Sequence, residues 1–76
     1  MEGKDIRFSD VSLLVMQECV PVIGKRDTAI LHLLVMTRHI APPSEKGILF
    51  LTRTIERLKG KVSDRLVEFL IQYFRL

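Results

Sequence analysis

The chain reads as mainly α, with one short N-terminal strand followed by four helices. Three observations predict this class. Apolar residues recur at helical intervals through most of the chain, period-two alternation is confined to residues 4–9, and Gly24, Pro42-Pro43 and Gly60 punctuate the stretches between. Seventy-six residues allow one domain, with 4–40 as its core and 43–76 as a helical extension.

The elements follow in order. Ile6 and Phe8 are apolar between polar Asp5, Arg7 and Ser9, which gives the strand. Ser9 or Asp10 is placed to cap a helix from Val11 to about Val20, because a short side-chain oxygen accepts an unpaired first-turn N–H. Leu13, Met16, Val20 and Ile23 are expected on its buried face. Pro21 lacks an N–H and clashes with the carbonyl four residues back, so the helix bends there or stops near Cys19. Gly24 ends the unit, and Lys25-Arg26-Asp27-Thr28 reads as a polar turn in which Asp27 or Thr28 caps the next helix, Ala29 to about His39. Residues 30–36 are apolar almost all round, the pattern of a helix covered on most sides.

Pro42-Pro43 is the clearest break. Ser44 then caps a third helix with a stripe of Ile48, Leu51, Ile55 and Leu58, whose opposite face carries Lys46, Arg53, Glu56, Arg57 and Lys59. Gly60 ends it. Ser63 caps a fourth helix, with Asp64 favoured by the helix dipole in its first turn and Leu66, Val67, Leu70, Tyr73 and Phe74 on its buried face.

Size and composition limit what such a chain does. A domain this short buries only about 60% of the surface its unfolded form exposes, so it needs reinforcement. Cys19 is the single cysteine, and with His32 and His39 it has no zinc-ligand spacing. Oligomerisation is the remaining route, and the 47% hydrophobic share fits a homodimer. The lone thiol and the charged start Met1–Asp5, which has no leader-like pattern, predict a cytoplasmic protein. The uninterrupted runs Leu13–Met16 and Leu33–Met36 are too short for a membrane span. The net charge of +3 leans mildly toward polyanions.

The N-terminal half resembles the ribbon-helix-helix family of DNA-binding repressors, the MetJ/Arc type. Ile6-Arg7-Phe8-Ser9 is similar to the end of the family's strand, and Gly24 falls eighteen residues after Ile6. Gly24-Lys25-Arg26-Asp27-Thr28-Ala29-Ile30 resembles its turn and second-helix start. The likeness covers residues 4–38; Pro21, Asp5 and the whole of 42–76 depart from the pattern. It implies a homodimer whose paired strands enter the major groove of double-stranded DNA. By position, Arg7 would read guanine, Ser9 a base or phosphate, and Asp5 would accept from cytosine. A bidentate Arg7 contact is worth about 1–3 kcal/mol of discrimination. Lys25, Arg26, Asp27 and Thr28 would anchor a phosphate at the second helix start. His32, Leu33 and Met36 occupy positions that are solvated in minimal members, and the two added helices are expected to cover them.

Other chemistry finds little footing. No nucleophile elbow, glycine-rich phosphate loop or H-E-x-x-H is present, so no enzyme and no cofactor is expected. Cys19 reads as a small core residue, and the two histidines as satisfied side chains without a third metal ligand. Thr54–Leu58 followed by Val62–Val67 is similar to a helix-turn-helix but reads better as two packed core helices. The alternative function is an all-helical adaptor or inhibitor that does not bind DNA. It would meet an acidic protein through Lys46, Arg53, Arg57 and Lys59 on the 43–76 helices.

Overall fold

A computed structural model describes residues 8–76, with side chains from Asp10 onward. Helix α1 (Phe8–Leu14) runs into a π-helical stretch, Val15–Cys19, and then into α2 (Val20–Thr37); α3 (Glu45–Leu58) and α4 (Asp64–Phe74) follow. The architecture is mainly α, with no strand among the described residues. Most of the expected strand, residues 4–7, lies outside the described residues, while Phe8 and Ser9 open α1. The helix therefore starts ahead of the expected Ser9 or Asp10 cap, and Asp10 lies in its first turn.

The π stretch answers to Pro21. With no N–H at Pro21 and its ring crowding the carbonyl of Gln17, a regular α-helix cannot continue, and the chain takes wider turns just before it. Pro21 then falls in the first turn of α2, where a missing N–H costs little. The helix widens ahead of Pro21 and does not stop.

This widening decides which side chains are buried. The core face carries Val11, Val15, Cys19 and Ile23, all at most 7% exposed. Leu13 and Met16, expected inside, point outward, so that expectation is corrected. A four-residue step overshoots a regular α-helical turn by about 40°. A wider π turn takes back part of that drift and keeps the stride-four residues facing one way.

Gly24 breaks α2, with φ 87° and ψ 165°, a conformation open essentially to glycine alone. The helix resumes at once, so Lys25–Thr28 is its first turn and not the separate polar turn expected. Neither Asp27 nor Thr28 serves as an N-cap. Thr28 stands three residues before Leu31 and seven before Val35, and all three side chains are fully buried on one stripe. The Thr28 hydroxyl is enclosed there without a hydrogen-bond partner.

The second half follows its sequence closely. Ser44 caps α3, its Oγ accepting from the Gly47 N–H at 3.3 Å, and Leu51, Ile55 and Leu58 are buried. Gly60 turns the chain with φ 79°. Leu66, Val67, Leu70 and Phe74 of α4 complete the core, whereas Tyr73 is half-buried. At the start of α4 the expected side-chain cap is absent. The Ser63 N–H and Oγ donate instead to the Glu18 carboxylate, at 2.8 and 3.4 Å, so the π segment secures the start of α4. At the other end of α4 the Tyr73 hydroxyl donates to the Val35 carbonyl at 3.0 Å. Its ring stacks on Phe69 and lies under the Arg38 guanidinium, each 5.1 Å away.

Two outcomes follow for unfolding experiments. Gly24→Ala meets no atom within 4 Å of the new Cβ, so its effect is backbone strain alone, about 1–3 kcal/mol of lost stability by denaturant titration. Glu18→Ala leaves the Ser63 N–H without its acceptor and lowers stability by about 1–3 kcal/mol in the same assay.

Candidate functional site

The core is closed, yet large apolar side chains remain outside it. Leu13 (58% exposed) and Met16 lie one turn apart on the first helical unit, and Leu33 (60% exposed) and Met36 lie one turn apart on α2. The pairs sit on adjoining helices. Ser12 Oγ is 2.7 Å from His32 Nε2 and 3.8 Å from Met36 Sδ, which brings the two helices into side-chain contact beside these residues. Ile40, 77% exposed, lies just beyond the end of α2. The expectation that the added helices would cover Leu33 and Met36 is corrected: α3 and α4 pack with the opposite stripe, Leu31 and Val35. Residues 30–36 hold more apolar positions than one buried face can take, and the surplus faces out. That surplus was the sequence signal for this surface.

A second feature lies between the start of α2 and the outer face of α3. Asp27, Lys46, Leu49, Phe50, Arg53 and Arg57 line an open groove of about 450 Å³, with buried Thr54 beneath. Arg57 donates from Nη1 to Asp27 Oδ2 at 2.9 Å, tying α2 to α3. Lys46 and Arg53 have no ion-pair partner among the described residues. Lys59 pairs with Glu56 at 3.1 Å and stands apart from the groove.

The DNA-reading residues expected from sequence fare differently. Asp5 and Arg7 lie outside the described residues, as does the side chain of Ser9. Lys25 and Arg26 are exposed, consecutive with Asp27. Asp27 is engaged with Arg57. The Thr28 hydroxyl is fully enclosed, so its side chain is not presented to an external phosphate. No cluster of three metal-ligating side chains exists among the described residues. No helix among them is long and apolar enough to cross a membrane. Comparison with protein-family models, curated proteins and solved structures gives no match.

Cys19 is sealed in the core, and its thiol is pushed up to about 11, first by burial and then by the neighbouring Glu18 charge. Thiolate is the reactive form. The native protein should therefore resist a thiol reagent at neutral pH and react once unfolded. An unfolded thiol ionises near pH 8.5, well below its value in the fold. Stability should accordingly fall as pH rises from there toward 11, and the Cys19→Ala variant should show less of this alkaline loss.

Proposed function

We propose that the chain is a helical protein-interaction module, an adaptor or inhibitor that docks a partner on the face formed by Leu13, Met16, Leu33 and Met36. The observation that carries this reading is that these four exposed side chains lie on two helices in contact through Ser12, His32 and Met36, beside a core that is already closed. Single exposed leucines are ordinary, whereas a contiguous group on two adjoining helices marks a docking surface. Leucine and methionine are adaptable fillers, suited to the apolar side of a partner helix.

The ribbon-helix-helix reading asks more of the chain. It needs residues 4–9 to pair as strands between two copies, and it places the core between chains. In the described residues, all four helices and the π stretch contribute to a single buried cluster within one chain. Exposed Lys25 and Arg26 are the feature that still favours a DNA contact.

The test is site-specific photocrosslinking in cells from position 33, with position 68, an exposed acidic residue of α4, as the control. The adaptor reading expects a discrete protein adduct from position 33 alone. It also expects Leu33→Glu to weaken binding of that partner by about 30-fold or more while changing stability by less than about 0.5 kcal/mol. No adduct from position 33 overturns the reading. Sequence-selective retention of duplex DNA that Arg7→Ala abolishes overturns it too, in favour of the repressor.

A further inference from the structure

The groove on α3 is separate from the apolar face and has its own chemistry. Lys46, Phe50, Arg53 and Arg57 follow one another at intervals of four, three and four residues, which aligns them on one side of the helix. At 1.5 Å per residue the stripe is about 16 Å long. Phe50 is half-buried and Leu49, beside it, is 57% exposed, so an apolar centre sits between a cation at one end and two at the other. The groove holds three cationic side chains against one carboxylate. That carboxylate, Asp27, meets Nη1 of Arg57. A guanidinium has five N–H donors, so Arg57 keeps others for a ligand.

We infer that this groove binds an acidic amphipathic helix of a protein partner. Its carboxylates, spaced like Lys46, Arg53 and Arg57, meet those cations while a Leu- or Phe-sized side chain between them covers Leu49 and Phe50. Charge complementarity selects the occupant. A nucleic-acid strand offers closely and evenly spaced phosphates, and Leu49 and Phe50 would break the row of cations facing it. An acidic helix carries carboxylates seven and four residues apart on one face and supplies the apolar side chain that the centre of the stripe lacks. Arginine suits the carboxylates because its planar fork holds both oxygens. The inference shares with the adaptor reading a protein partner, but it rests on another face, and the two fail separately.

The experiment uses the full chain and two synthetic helical peptides of identical composition. One carries Glu at the spacing of Lys46, Arg53 and Arg57, with Leu in the place that matches Phe50; the other carries the same residues permuted. Binding is read by fluorescence anisotropy, and the site by amide chemical-shift mapping. The matched peptide should bind at least about tenfold more tightly than the permuted one, with shifts centred on α3. Arg53→Glu and Lys46→Glu, both at exposed positions, should each weaken it by about tenfold or more. A peptide with Lys opposite position 53 should recover binding to the Arg53→Glu protein. Leu33→Glu should leave the matched peptide's affinity unchanged. Equal affinity for the two peptides, shifts centred elsewhere, or no binding overturns the inference. Tighter binding of duplex DNA, lost in the same α3 variants, overturns it as well and makes the groove a polyanion site.

Discussion

Four apolar side chains at four-residue intervals, Val11, Val15, Cys19 and Ile23, must face one way along a helix that Pro21 interrupts. A regular α-helix would carry such a series steadily round its axis. The π turns ahead of Pro21 limit that drift, and much else follows from the limit. Glu18 is brought to the Ser63 amide. Leu13 and Met16 are turned outward, and Ser12 is set against His32 and Met36. Moving the π turns would change which residues form the surface as well as which form the core.

Polar contacts reinforce this packing at places far apart in sequence. Glu18 to Ser63, Asp27 to Arg57 and Tyr73 to the Val35 carbonyl each join two different helical elements. The Arg57 pair is partly exposed and so contributes little energy on its own. Its value is positional, because it holds the start of the long arm of α2 beside the groove on α3. The bond to Ser63 does more, since it satisfies a helix-end amide that the local sequence leaves unpaired. In a domain with so small a core, such contacts choose among packings that apolar area alone distinguishes poorly.

The second half was legible from sequence because its rules are local. Ser44 caps through its own hydroxyl, the α3 stripe keeps a regular period, and the prolines and Gly60 mark its limits. The first half depended on two things that periodicity does not reveal. A regular template favours Leu13 and Met16 as core, and only the wider turns near Pro21 make the Val11–Ile23 series the buried one. The polar string Lys25–Thr28 has turn-like composition, yet Gly24 alone makes the break, so those residues are left for the helix. The cap expected from Ser63 gives way to a bond with Glu18, and nothing local signals that partner, because it lies 45 residues away. For the sites, the cations of α3 were visible in advance, but their grouping around Leu49 and Phe50 was not. The outward face on α1 and α2 was present only as an excess of apolar residues with no stated destination.

The unusual backbone at Gly24 has a consequence for that outward face. Leu13 and Met16 precede it in the chain, and Leu33 and Met36 come after it. The two halves of the surface therefore belong to separate helical rods, whose relative angle is set by the dihedrals of one residue and braced by the short contact between Ser12 and His32. A partner lying across both rods would sense the geometry of a junction it never touches.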